Sequence, residues 1–581
     1  MIIARVLEHA RSHPDDTALV ELSSGHRTTY GGLARHVHRL ASAIEGAGWA
    51  GRTVLVALGA SSALVAAEVA VRAAGAVPVV IGGDLTPARV ADLVQASGCA
   101  AVVTASADGL PQDVGRVVVP ARLSDWSESF PLDTPGGGVE PGTGGPGPET
   151  CYGVFTSGST GTPKLVLVGE RALMNLLDWY TGEYALRRGT VTALMVRPAF
   201  DVHVMETWAA LTAGATALVV DRADVRVDPL ALTSALRAHA VEVVFVPTPL
   251  ARGLCDALLD SPVPHALRHL HVGGDRLDFW PSVPGVAVHN QYGPAECAVV
   301  STAVDVATVR SPHEGPPPIG YPVPGATCVV VDEAGQPVDP GVPGELWIGG
   351  AGVAEGYAWR PDLTAERFLT VDGVRHYRTG DVVWAEPDGL LHFIGRVDNQ
   401  VKVRGNRVEP GEVEAAARRY PGVFEAAVVP DASSGEVRLV GFVVGDVEPR
   451  EVREHLAGVL PEYMVPAVVS ILPRLPMTGN DKVDRAELAR RAAGTATVDE
   501  RTDQLVGVEG RLARIWEQVL GVPVRPEDDF FDLGGHSLAA MRVVTLAEEE
   551  GLEVGLRALL TGMTLSEVAE TCTASSLEVG P

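Results

Sequence analysis

Tyr152-Gly153-Val154-Phe155-Thr156-Ser157-Gly158-Ser159-Thr160-Gly161-Thr162-Pro163-Lys164 is the stretch on which the fold turns. An apolar run of β type feeds a tight loop of Gly, Ser and Thr, which closes on Pro-Lys. Glycines let a backbone approach an anion closely, and successive N–H groups with hydroxyls can surround a phosphate. Lys164 adds positive charge. The spacing differs from the common phosphate loop, which places Gly-Lys-Ser/Thr after four intervening residues. An ordered Thr-Ser-Gly-Ser-Thr-Gly-x-Pro-Lys after a strand still points to phosphate binding rather than to a flexible linker.

Outward from this loop, size and charge set the frame. A chain of 581 residues exceeds what one core supports, so several domains are expected. Hydrophobic residues at 46% and charged residues at 20% place it among ordered globular proteins. A net charge of −27 argues against nucleic acid and against anionic membrane surfaces as partners, while leaving room for one local ATP pocket. The cysteines (Cys99, Cys151, Cys255, Cys297, Cys328 and Cys572) lack paired spacing, which suits a reducing, cytoplasmic location. No signal peptide is read at the N-terminus. The apolar window from Ala63 to Ile81 carries Glu68 and Arg72 and reads as a buried helix and strand rather than a membrane span.

Before the loop, helical patterns alternate with short strands such as Thr53 to Leu58 and Ala101 to Val103, the signature of a layered α/β domain. After it come Phe200-Asp201-Val202-His203-Val204-Met205-Glu206, then Asn290-Gln291-Tyr292-Gly293-Pro294-Ala295-Glu296 behind a strand-like Val286-Ala287-Val288. Gly344 to Ile348, Gly356-Tyr357, Arg360 to Thr364 and Arg367-Phe368 precede Tyr377-Arg378-Thr379-Gly380-Asp381, Gly395 to Gly405 and Asn480-Asp481-Lys482-Val483-Asp484-Arg485. A small, polar stretch from Ala492 to Gly507 reads as a linker. Beyond it lie helical periodicity from Gly510 to Leu520 and the string Asp528-Asp529-Phe530-Phe531-Asp532-Leu533-Gly534-Gly535-His536-Ser537-Leu538.

In order and in content these segments resemble the adenylate-forming enzymes, and within them a nonribosomal peptide synthetase adenylation domain fused to a peptidyl carrier domain. The resemblance implies an α/β multidomain fold. A large N-terminal core of layered α/β subdomains covers 1–396, and a small mobile α+β subdomain covers 397–491. A linker at 492–507 leads to an all-α four-helix carrier at 508–575.

It also implies site residues. Thr156, Ser157, Gly158, Ser159, Thr160, Gly161 and Lys164 would hold phosphates. Asn290, Tyr292 and Gly293 would meet the adenine, Glu296 magnesium, and Asp381 with Arg396 the ribose and phosphate. Asp201 would receive the ammonium group of an amino acid, and Lys482 would bridge its carboxylate and the ribose oxygen as the catalytic lysine. Val202, Met205, Val244, Leu270, Val272, Gln291, Val299 and Val300 would line the side-chain pocket. Asp398 would be the hinge about which the small domain turns between half-reactions. Ser537, at a helix N-terminus, would carry 4′-phosphopantetheine.

The implied function has two steps: ATP converts an amino acid to aminoacyl-AMP, and the pantetheine thiol then takes the aminoacyl group as a thioester. The aliphatic pocket implies a small or medium apolar substrate, proline or a branched aliphatic, although Gln291 could instead read a hydroxyl or amide. Implied partners are a phosphopantetheinyl transferase, a downstream condensation or tailoring enzyme, and a small accessory activator. Without flanking condensation or thioesterase motifs, a free-standing loading module is expected. Where relatives carry Gly, His, Thr and Gly, this chain has Leu165, Glu170, Ala295 and Asp481, and Ala295 implies weaker ATP binding. His203 is expected to be packed or at the surface rather than catalytic. The rival readings are an acyl- or aryl-CoA ligase and a carrier scaffold whose adenylation half has decayed.

Overall fold

The computed structural model describes residues 2–83, 85–108, 110–112, 114–126, 130, 132–133, 144–157, 163–260, 265–309, 315–397, 400–403, 406–432, 437–477, 483–494, 507–520, 524–530, 533, 535, 537–555, 558–559 and 563–574. The described residues up to Val397 and those from Gln400 onward fall into two compact units. This division lies beside the expected boundary at 396/397.

In the first unit, nine strands form one sheet in the spatial order Tyr321–Pro322, Thr302–Asp305, Ala287–Tyr292, His269–Gly273, Val243–Pro247, Val191–Leu194, Thr216–Val219, Thr17–Glu21, Arg27–Thr29. The run from Ala287–Tyr292 to Thr17–Glu21 is parallel throughout. A second, eight-stranded sheet centres on Thr150–Thr156, Val77–Val80 and Thr53–Ala57. Parallel strands need both faces covered, and helices supply the cover. Ser62–Ala73, Glu170–Glu183 and Asp201–Thr212 share one continuous core that joins the two sheets. Pro229–Ala238 and Thr248–Asp260 pack on the opposite face of the nine-stranded sheet. Pro87–Ser97 covers the far face of the other. The expected layered α/β core is therefore present.

Local chemistry explains the helix starts. Ser61 accepts from the Leu64 amide, and Asp228 accepts from the Leu230 and Ala231 amides with Pro229 in the first turn. The Ala63 to Ile81 window is a buried helix followed by the Val77–Val80 strand, as its two charges suggested. No described helix is long and apolar enough to cross a membrane. A third sheet, built on Gly344–Gly350 and Val374–Ala385, pairs Leu391–Arg396 along its edge.

The second unit contains the strands Val423–Asp431, Arg438–Gly445 and Val468–Ile471 with the helices Pro410–Ala417, Pro449–Val459 and Arg485–Gly494. The last of these helices runs to Gly494, past the expected linker start. From Gly507 a separate small core forms around Trp516, Phe530, Val543 and Leu565. Its described helices are Gly507–Leu520, Ser537–Glu549 and Leu565–Thr571, and a short strand pair joins Leu552–Glu553 to Thr573–Ala574.

Candidate active site

The strands on either side of the phosphate loop pair with each other. Thr156 stands opposite Lys164 in the pairing of Thr150–Thr156 with Lys164–Gly169, so the strands fix both ends of the loop. Gly158, Ser159, Thr160 and Gly161 lie outside the described residues, as do Asp398, Asp481 and Lys482. Lys164 is buried, and its ammonium sits 5.4 Å from the centre of the Tyr357 ring. That distance suits a cation–π contact. The Tyr357 hydroxyl in turn donates to Glu296 Oε1 at 2.7 Å, and Glu296 is wholly buried. Lys164 and Glu296, the expected phosphate and magnesium residues, are thus joined through one phenol. The sequence places Tyr357 only in a structural motif. Its role follows from the pairing of Gly356–Tyr357 with Leu167 and Val166, which no local pattern announces.

The expected ribose residues also come together. Asp381 and Arg396 face each other across antiparallel strands and form an ion pair, and Tyr292 donates its hydroxyl to the other Asp381 oxygen. Arg396 Nη2 donates to the Thr379 carbonyl at 3.1 Å, and Thr379 Oγ1 accepts from the Asp381 amide at 2.9 Å. Burial and the Asp381 charge raise the Tyr292 hydroxyl well above its ordinary pKa, so it stays a donor. Asn290 is buried and gives its amide N–H to the Pro318 carbonyl at 2.7 Å. Gly293 cannot carry a side chain, since a Cβ would lie 2.3 Å from the Val299 carbonyl oxygen. This tight return forces Ala298 and Val299 into the left-handed region at φ 52° and 72°. For a β-branched residue that is strain, of the kind stored at functional sites.

Asp201 opens the Asp201–Thr212 helix and is partly exposed, whereas Val202 and Met205 are buried in the core shared with Val299 and Val300. His203 is packed: it is buried and lies 3.3 Å from Glu68, which also accepts from Trp208 Nε1 at 2.7 Å. Glu206, unremarked in the sequence, accepts from the Met195 and Val196 amides, and burial pushes its pKa up to about 8.

Three expected pocket residues are corrected. Val244, Leu270 and Val272 point into the other core, against the Pro229–Ala238 and Thr248–Asp260 helices. A slip of one residue moves a strand side chain to the opposite face. The face toward Asp201 carries Phe245, His271 and Gly273 instead. Phe245 pairs with His271 and His271 with His289, while Phe245 shares the core of Val202, Met205, Val299 and Val300. Gln291 lies on this face as expected, with its amide nitrogen 2.6 Å from His271 Nδ1 and 3.2 Å from the Tyr184 hydroxyl.

Residues 6–358 match the AMP-binding enzyme family, 412–482 match the AMP-binding enzyme C-terminal domain, and 510–572 match the phosphopantetheine attachment site. The chain belongs to the AMP-binding enzyme family. A linear gramicidin synthase polypeptide of Brevibacillus parabrevis is 36% identical, over 98% of this chain and 11% of its own length. Phosphinothricin tripeptide synthetase PhsC of Streptomyces viridochromogenes is 34% identical, over 99% of this chain and 53% of its own. The chain thus spans from about a tenth to about half the length of these relatives. Among solved structures, holo-PA1221, described as a nonribosomal peptide synthetase protein with adenylation and PCP domains bound to a vinylsulfonamide inhibitor, is 26% identical with a TM-score of 0.79. That match covers 98% of this chain and 96% of the other. Within this AMP-binding enzyme, Ser537 is the first residue of the Ser537–Glu549 helix, inside the phosphopantetheine match.

Proposed function

We propose that this chain activates an amino acid with ATP, as aminoacyl-AMP, and loads it as a thioester on 4′-phosphopantetheine carried by Ser537. The observation that carries the reading is the convergence of Lys164 and Glu296 on Tyr357 beside the paired strands that flank the phosphate-loop sequence. These groups fit the cosubstrate. Magnesium is held by one or two carboxylates plus phosphate oxygens rather than by an all-protein cage. Glu296 offers one such carboxylate, and Lys164 a buried cation for the phosphates. Asp381, held between Arg396 and Tyr292, offers a fixed acceptor for ribose hydroxyls.

Asp201 at a helix start would pair the substrate ammonium, which favours an amino acid over an aryl or fatty acid. Lys482 would supply charge to the carboxylate and the ribose oxygen during attack on the α-phosphorus, a role commonly worth ~10²–10³-fold in rate. Asp398 would serve as the hinge. Ala295, in place of a hydroxyl residue, removes one phosphate hydrogen bond, about 1 kcal/mol. A small or medium neutral side chain suits the pocket. The strictly aliphatic expectation, proline or a branched chain, loses support because Val244, Leu270 and Val272 face elsewhere. Partners of the loaded carrier would be a phosphopantetheinyl transferase, a condensation or tailoring enzyme, and an accessory activator.

The test is intact mass of the phosphopantetheinylated protein after incubation with ATP, magnesium and pooled amino acids. A gain of one aminoacyl group that Ser537→Ala abolishes is the expected result. CoA-dependent release of an acyl product would favour the ligase reading instead, and absence of amino-acid-dependent pyrophosphate exchange would favour a decayed adenylation half.

A further inference from the structure

Behind the proposed side-chain pocket the strands carry an unusual polar array. His269, His271 and His289 occupy one face of neighbouring strands, with His271 and His289 stacked at 5.1 Å and His269 Nδ1 lying 3.1 Å from His289 Nε2. Tyr184 meets His271 edge-on at 4.2 Å. His271 is 0% exposed and Gln291 3%. Each keeps one polar atom, His271 Nε2 and Gln291 Oε1, with no hydrogen-bond partner among the described residues. Turning the Gln291 amide over does not remove the deficit, because one of its two polar atoms is then orphaned in the same place.

An orphaned buried donor or acceptor costs about 1–3 kcal/mol, so a native site that keeps two asks what completes them. Both groups lie on the face toward Asp201, and Gly273 lets the Gln291 strand close on Phe245, since a Cβ there would sit 2.6 Å from the Gln291 carbonyl.

We propose that the amino acid activated here bears a neutral hydrogen-bonding side chain, an amide or a hydroxyl, received by Gln291 and His271. This rests on the amino-acid-activation reading above. An aliphatic side chain would leave both polar atoms unpaired. A charged one finds no counter-charge among Gln291, Tyr184 and the three histidines, and burial, reinforced by its histidine neighbours, keeps His271 neutral. Neutral imidazole and carboxamide each offer both a donor and an acceptor, which matches an amide or a hydroxyl. A site built to bond such a group rejects the analogue lacking it far more strongly than an apolar pocket rejects an added hydroxyl.

ATP–pyrophosphate exchange by the full chain, run with the near-isosteric pairs norvaline/homoserine, leucine/asparagine, homoleucine/glutamine and valine/threonine, and with proline against 4-hydroxyproline, tests this. The polar member of the best pair should exceed its apolar partner in kcat/KM by at least about tenfold. His271→Leu and Gln291→Leu should narrow that gap. The wild-type ranking decides even if either variant fails to fold. Exchange in which every apolar partner equals or exceeds its polar one overturns this inference while sustaining amino-acid activation. No exchange with any amino acid overturns both.

Discussion

The Arg72 guanidinium lies 2.8 Å from the Glu170 carboxylate, 98 positions away in the chain. Glu170 stands where relatives are expected to carry His, at the start of the helix that follows the paired strands flanking the phosphate loop. Its other oxygen accepts from the Ile2 amide at 2.6 Å. The departure is therefore compensated: a carboxylate at a helix N-terminus, beside a cation, replaces an imidazole.

Glu170→His should destabilise the protein rather than restore it, because an imidazole facing Arg72 loses the ion pair and both hydrogen bonds. About 1–2 kcal/mol is expected at pH 7, allowing for partial solvent screening. Burial disfavours the Glu170 charge, but the positive amino terminus of the chain, then the Ile2 amide and Arg72, outweigh it and hold its pKa at about 2, against an ordinary 4.5. A depressed carboxylate pKa contributes stability that is present above the ordinary value and lost as pH falls toward the folded one. Urea melts of wild type and Glu170→Gln should thus differ most above pH 4.5 and converge near pH 2.

Glu206 gives the opposite sign. Burial raises its pKa from 4.5 to about 8, so between those values the folded protein keeps a proton that the unfolded chain has lost. Stability then falls as pH rises through that window. Glu206→Gln mimics the protonated form and still accepts from the Met195 and Val196 amides. It should match wild type near pH 4.5 and exceed it by at least about 1 kcal/mol at pH 8. Parallel stability curves for the two proteins across that range would contradict the assignment.

Tyr357→Phe removes the donor to buried Glu296 while keeping the ring near Lys164. A hydrogen bond to a charged group is worth about 1.5–3 kcal/mol. If Glu296 serves the nucleotide and its magnesium, the loss should appear as a KM for ATP raised about tenfold or more, with amino acid KM little changed. A purely structural tyrosine would lower the melting temperature and leave both KM values alone.

What the sequence disclosed and what it hid follow from geometry. The strand that feeds the phosphate loop, the separate strings that carry Asp381 and Arg396, and the start of the Ser537 helix were legible because the chemistry of each lies in a contiguous string. The pocket face was not. Val243-Val244-Phe245-Val246 sits in a parallel sheet buried on both faces, so it lacks the alternation that would reveal which side each residue takes. The parity of Phe245 and His271 had to come from strand pairing. Tyr357 with Glu296 and Arg72 with Glu170 are contacts between distant segments, and no local pattern encodes them.

Arg396→Lys tests whether the Asp381 acceptor needs a guanidinium. Arg396 spans two partners at once, Asp381 through Nη1 and the Thr379 carbonyl through Nη2. Its side chain is 13% exposed and that of Asp381 8%, so screening is weak. A lysine keeps the charge but loses the planar fork, and cannot hold both partners in the same geometry. Asp381 would then turn more freely between Tyr292 and the ammonium, and the ribose would meet a less ordered acceptor. Pyrophosphate exchange should fall about 10- to 100-fold, mainly through ATP, which corresponds to roughly 1.4–2.7 kcal/mol. Arg396→Ala should fall further and also lower the melting temperature, because it strips a buried carboxylate of its cation. Equal activity for Arg396→Lys and wild type would show that only charge matters at this position, and would remove the fork from the account of ribose binding.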